Sequence, residues 1–321
     1  MPRIKAKRNA RVNELDETFE RFMNIKVSEG IAPKTLSNYT QGMQYFKQFF
    51  DFKGDEDVKE ALSQSNFYKW SATMSNEGIK PTTANSYLRT VRVFAYWCME
   101  VGYLDSFKIK LQKKQETPPK LFVDEDIEVL LEKPQNREDF VANRTWMICN
   151  WICATGARTS TICNIQMKDL NLKDMEYTLS HTKNKRAQVG PIDESIKFIL
   201  EDYIYSFRSD AGPEDYLFCD QDGSQLSTNA FRHAFARYCK KRGLEQTNPH
   251  GLRHSFARNW VRTGGDVFTL QRILGHATLQ QTQQYVELFD ADLREGYSSH
   301  TITGKLNKGK SRKKTVVYKK K

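Results

Sequence analysis

From Leu36 onward, apolar side chains fall at Leu36, Tyr39, Met43, Phe46 and Phe49, the three-and-four spacing of one helical face. Pro33 suits the first turn of that helix, where its missing N–H has no intrahelical partner. The same period returns over residues 82–98, where Tyr87, Leu88, Val91, Phe94, Ala95 and Cys98 share a face, and it ends near Gly102. Residues 58–75 between them are shorter and helix-compatible, so residues 12–108 read as a compact all-helical domain. The polar, basic stretch KIKLQKKQETPPK then closes on Pro118 and Pro119 and has the composition of a linker, placed at residues 109–120. Beyond it, Asp124 is placed to cap a helix through Ile127, Leu130 and Leu131, and a second helix spans about residues 141–154. Residues 177–180 and 187–192 then switch to strand character around the turn KNKR, which predicts a small β-hairpin. Helical periodicity resumes over residues 194–207, 228–242, 252–262, 268–274 and 280–288. The fold class is mainly α with a small β-hairpin or sheet, in two domains.

Composition narrows the setting. A chain of 321 residues is long enough for two domains that each bury a core. The longest apolar run, residues 146–154, contains Asn150 and is far short of the roughly 20 residues a bilayer needs, so it reads as a buried helix. No apolar segment follows the basic N-terminus, which argues against a signal peptide and for the cytoplasm. Six cysteines without a CxxC pair, mostly among apolar neighbours, read as reduced core thiols, and no metal or other cofactor is expected.

The net charge of +11 is unevenly placed: residues 1–11 carry five Lys/Arg and residues 305–321 carry nine, with no acid in either. Taking these 14 from the 50 basic residues leaves 36 against 39 acidic, a nearly neutral body with two cationic arms. Such arms suit a polyanion, and nucleic acid over a membrane, since neither arm is an amphipathic helix with an apolar face. Lys34, Lys80, Arg89 and Arg92 on the first domain, and Lys305, Lys308, Lys310, Arg312, Lys313 and Lys314 in the C-terminal arm, are the candidate DNA contacts.

Candidate chemistry concentrates in the second half. TGARTSTI places Arg158 just past a glycine turn, the hairpin turn HTKNKRAQVG offers Lys183, and HGLRH carries His250 and Arg253. His276 and Tyr285 follow in LGHATLQQTQQY. Two guanidiniums can clamp the nonbridging oxygens of a phosphodiester, tyrosine can attack phosphorus, and an imidazole and an ammonium can move the protons. Tyrosine's ordinary pKa, about 10, calls for a base, and His250 is the candidate. Lys183 is the candidate acid for the leaving 5′ oxygen, with Lys185 and Arg186 sharing its turn. His254 reads as a satisfied packing histidine, and His233 as a surface residue or one supporting the site from behind.

TGxR, the hairpin lysine, HxLRH, LGH and TxxY in this order resemble the tyrosine recombinases of the phage-integrase family, over nearly everything from Asn13 to about Phe289. The resemblance implies a C-shaped clamp: a basic arm (1–11), a helical core-binding domain (12–108), a linker (109–120), a mixed α/β catalytic domain (121–297) and a basic tail (298–321). It further implies a site-specific DNA recombinase, an integrase of a phage or other mobile element, that works through a 3′-phosphotyrosyl intermediate in a tetrameric synapse on double-stranded DNA, with accessory DNA-bending or directionality proteins among its partners. Within it, His276 donates to a nonbridging oxygen. The family's usual acidic residue three positions after the first arginine is Thr161 here. That departure keeps open a catalytically silent DNA-binding regulator on the same fold; a type IB topoisomerase is a third reading, disfavoured by the helical first domain.

Overall fold

Helix α1 (Leu15–Ser28) turns Leu15, Thr18 and Phe22 inward, and helix α2 (Pro33–Phe50), opened by Pro33, buries Met43 and Phe46. Two short helices follow, α3 (Val58–Ala61) and α4 (Gln64–Asn76), where a single 58–75 segment was expected. Ser63 separates them, accepting the N–H of Asn66 to start α4 afresh. Helix α5 (Pro81–Glu100) buries Ala84, Leu88, Val91, Phe94, Ala95 and Cys98 along one face. Gly42 lets α2 approach α5, because a Cβ there would lie 1.9 Å from Oγ1 of Thr90. The computed structural model describes residues 14–113, 119–179 and 188–288. The chain divides into two compact units, residues 1–117 and 118–321.

The expected linker is corrected at its start. Ile109 is buried in the first core, and Gln112 exchanges backbone bonds with the Asn85 amide at 2.8 and 2.9 Å while its own amide reaches Ser71. Composition missed this because a polar segment can be held by side-chain hydrogen bonds that leave no hydrophobic period.

The second unit is built on helix α7 (Phe140–Thr155), which is buried on nearly every face and packs against four other helices. Before it, α6 (Asp124–Leu131) begins with Asp124 inside the first turn; Val123 holds the cap position, and Asp124 pairs instead with Arg262 at 3.0 Å. After α7 come α8 (Thr159–Ile162) and a three-stranded antiparallel sheet of β1 (Leu170–Asn171), β2 (Glu176–Leu179) and β3 (Gln188–Pro191). The register sets Tyr177 opposite Gly190 and Leu179 opposite Gln188. Strand β1, two residues long, is too short to show alternation in sequence. Helices α9 (Glu194–Phe207), α10 (Thr228–Lys241), α11 (His250–Arg262), α12 (Val267–Leu274) and α13 (Gln280–Leu288) complete the unit, which is mostly helical with one small sheet. All six cysteines are free thiols, five of them buried. No helix among the described residues is long and apolar enough to cross a membrane.

Candidate active site

Two helix C-termini hold the two arginines. Helix α7 ends on Gly156 with φ +62°, a left-handed turn that glycine adopts without strain and where a Cβ would lie 2.5 Å from the Phe256 ring. Helix α12 ends in the same way on Gly275 at φ +59°, with the N–H of His276 reaching back to Gln271. The last carbonyls of a helix lack intrahelical partners and carry its partial negative charge. Here they meet guanidinium groups. Nη1 of Arg253 donates to Gly156 O and Nη2 to Leu274 O, both at 2.6 Å, and Nη2 of Arg158 donates to Gly275 O at 3.2 Å. The glycines of TGAR and LGH are thus the caps that turn these carbonyls inward.

Arg253 is 2 % exposed and Arg158 is half-buried, and among the described residues no carboxylate pairs with either. Burial, then the charge of Arg158, pulls Arg253 down to about 9. Burial also lowers Arg158, with Tyr285 opposing. Two cations partly withdrawn from water and facing one region, without counter-charge, form an anion site. Their remaining donors match the oxygens of a phosphodiester.

Helix α11 places His250, Arg253, His254 and Ala257 along one face, at the spacing of successive turns. Gly251 on its other side leaves room for Phe122, whose ring would lie 2.9 Å from a Cβ there. Phe122 is also tied to the helix through Ser255 Oγ, which donates to its carbonyl at 3.1 Å and accepts its N–H at 3.0 Å. Tyr285, on α13, is 1 % exposed and packs with Ala257, Leu270 and Leu274.

The three imidazoles divide their tasks. Nδ1 of His254 is 2.7 Å from the Tyr285 hydroxyl. His254, expected from sequence to be a satisfied packing histidine, has Tyr285 as its partner, because packing of α13 against α11 brings the hydroxyl onto it. His250, at the exposed N-terminal end of α11, meets the His254 ring edge-on at 4.7 Å. Crowding by surrounding protein, then the charges of Arg253 and Arg158, lower its pKa from 6.5. His276 lies parallel to the Tyr285 ring at 6.3 Å and is held through both nitrogens. Arg253 has only donors, so Nε2 of His276 accepts from its Nη2 at 3.1 Å, and Nδ1 donates to Thr282 Oγ1 at 2.9 Å. In this arrangement Nε2 is an acceptor, unlike the donor the resemblance implied. The nearest available donor, Arg253, claims its lone pair.

Burial pushes both inner histidines to about 4, with the surrounding positive groups adding to it, so both are neutral at pH 7. Burial raises Tyr285 above 10, against the pull of Arg253 and Arg158, so the hydroxyl keeps its proton. Sequence reasoning did not single out Thr282, which is fully buried and orients His276. Thr161 is buried in α8, its N–H bonded to the Arg158 carbonyl.

The other expected residues fall elsewhere. Lys183 lies outside the described residues, as do Lys305, Lys308, Lys310, Arg312, Lys313 and Lys314. Lys34, Lys80 and Arg89 are exposed on the first unit, and Arg92 stacks over Tyr96 at 5.7 Å. His233 is exposed on α10.

A buried tyrosine in the field of two guanidiniums that pair with no carboxylate among the described residues, on a mainly helical unit, suits phosphodiester transfer. Residues 121–292 match the model of the phage integrase family, and the chain belongs to that family. Among curated relatives it is 25% identical over 295 residues to the tyrosine recombinase XerD of Oceanobacillus iheyensis, covering 89% of this chain and 98% of the relative. It is 26% identical over 285 residues to the tyrosine recombinase XerC of Bacillus subtilis, covering 86% and 93%. The fold matches the Tn1549 transposon integrase in complex with a circular intermediate DNA (TM-score 0.69, 18% identity, 85% of this chain and 94% of that one). It also matches a lambda integrase tetramer bound to a Holliday junction (TM-score 0.68, 17% identity, 86% and 78%). The chain is a site-specific DNA recombinase of the tyrosine type.

Proposed function

We propose that Tyr285 is the nucleophile of this recombinase and that Arg158 and Arg253 clamp the scissile phosphate. The observation that carries the reading is the Tyr285 hydroxyl set within the field of two guanidiniums that no carboxylate among the described residues neutralises. Attack of Oη on phosphorus gathers negative charge on the nonbridging oxygens, and fixed cations in a water-poor site stabilise that charge more than the ground state. The bond energy is kept in a 3′-phosphotyrosyl ester, so a second strand can displace the tyrosine without a nucleotide cofactor. His250, at the mouth, faces the incoming phosphate, and Lys183 supplies the proton for the leaving 5′ oxygen. His276, braced by Thr282, completes the cradle by holding the Arg253 guanidinium through Nε2.

The substrate is double-stranded DNA at a specific site, and the chain assembles on it as a tetramer. Support comes from the integrase relatives seen on DNA and from the cationic segments at both ends of the chain. In this reading residues 12–108 bind one face of the duplex through Lys34, Lys80, Arg89 and Arg92, residues 121–297 carry the chemistry, and the enzyme acts in the cytoplasm. The test is incubation with a nicked suicide duplex taken from the DNA flanking its gene. A covalent protein–DNA adduct that is lost in Tyr285→Phe is expected; sequence-specific binding with no adduct would instead mean a silent DNA-binding regulator.

A further inference from the structure

Two imidazoles, His254 and His276, lie against the Tyr285 ring, and among the described residues only His254 has a nitrogen on its hydroxyl. His276 uses Nε2 to accept from Arg253 and Nδ1 to donate to Thr282, which leaves neither for the tyrosine. His250 touches His254 by its ring. Nδ1 of His254 sits at 2.7 Å from Oη, inside the range of a well-formed hydrogen bond. Tyr285 is 1 % exposed, so bulk water has little access to the proton that must leave.

Resting on the reading of Tyr285 as nucleophile, we propose that His254 is a catalytic residue of this recombinase, the group that takes the Tyr285 proton as Oη attacks and returns it when the strand is rejoined. The Oη–H bond breaks as an Nδ1–H bond forms, and the oxygen lone pair so released forms the Oη–P bond. The P–O5′ bond breaks, and the 5′ oxygen takes its proton from a separate acid. His254 starts neutral with its proton on Nε2 and becomes an imidazolium. Its new charge arises as the phosphorane gains negative charge, so the two offset each other. Neutrality at pH 7 follows from the burial that holds His254 near 4, helped by the charges of His250 and Arg253. His250 is then left to act on the phosphate, one helical turn nearer the solvent.

The test is single-turnover adduct formation by the full chain on two suicide duplexes from the DNA flanking its gene, one ordinary and one with sulfur replacing the bridging 5′ oxygen. A thiolate leaves without an acid, so sulfur rescues loss of the proton donor and leaves loss of the base unrescued. His254→Ala and His254→Gln are expected to fall by about 10²- to 10⁴-fold on both duplexes, with duplex affinity within about threefold of the parent. Their residual rates should rise about tenfold per pH unit as hydroxide replaces the missing base. Two results would overturn the proposal: parental rates in either variant, above all in His254→Gln, which keeps hydrogen bonding without basicity, or rescue by sulfur. No adduct from the parent chain would sink the nucleophile reading itself. Parental adduct formation with unaffected His254 variants would sink this proposal alone. Circular dichroism and melting of both variants separate a lost base from a lost fold.

Discussion

Arg253 and His276 share one hydrogen bond whose direction is dictated by chemistry: the guanidinium can only donate, so Nε2 of the imidazole accepts, at 3.1 Å. The same nitrogen of Arg253 also donates to Leu274 O at 2.6 Å, where α12 ends on Gly275. One side chain thus ties the HxLRH helix to the LGH turn.

Replacing Arg253 by lysine keeps the charge and removes the planar fork. Lysine cannot serve Gly156 O, Leu274 O and His276 together while presenting a donor to phosphate. Strand cleavage by Arg253→Lys is expected to drop by about 10²- to 10³-fold in single-turnover assays, with DNA affinity reduced much less.

Gly275→Ala sets a side chain at φ +59° and 3.2 Å from Oε1 of Gln188, whose Nε2 bonds the carbonyls of Arg272 and Ile273 at 2.9 and 2.7 Å. The expected loss is about 1–2 kcal/mol of unfolding free energy from the left-handed conformation, read by denaturant titration. Gly156→Ala should cost more, about 2–4 kcal/mol, since its Cβ would also run into Phe256 at 2.5 Å.

Thr282→Val preserves shape and removes the acceptor for Nδ1–H of His276. The Nε2–H tautomer would face the donor of Arg253, so the proton is expected to stay on Nδ1 without a partner and the ring to lose its fixed orientation, visible in the nitrogen chemical shifts of labelled histidine. Cleavage should fall by about 10- to 100-fold, as when the partner that orients a functional histidine is removed.

His254 and His276 both have folded pKa values of about 4 against an ordinary 6.5. Between those values the unfolded chain binds protons that the folded chain refuses, so stability rises with pH across that window and is lost as pH falls through it. Above pH 6.5 these two groups contribute no further pH dependence. Melting temperatures from pH 4 to pH 8 should show the drop, and a double variant with His254→Asn and His276→Asn should flatten it.

Chain-wide periodicity made α2, α5, α6, α7 and α9 through α13 legible but not the one-turn helix α8, and the apolar run 146–154 pointed to the buried centre of α7. It failed where periodicity has no purchase. Ser63 splits one expected helix into two by a cap, Asp124 sits inside a turn rather than before it, and Gln112 is fastened to Asn85 by polar bonds alone. Motif order likewise pointed to Arg158, Arg253, His276 and Tyr285, which the fold brings to one site, while Thr282 had no signal beyond its place in TxxY.

The amino-acid sequence by itself determined which segments become helices, where glycines end α7 and α12, and which side chains can clamp, attack and move protons. Those are properties of local backbone preference and side-chain chemistry. Tertiary structure alone decided which histidine meets Tyr285. His250 and His254 are four residues apart, so helical geometry puts both on the same face of α11 and cannot rank them. The choice is made by the packing of α13 over Ala257, Leu270 and Leu274, which sets the tyrosine ring deep enough for its hydroxyl to reach His254.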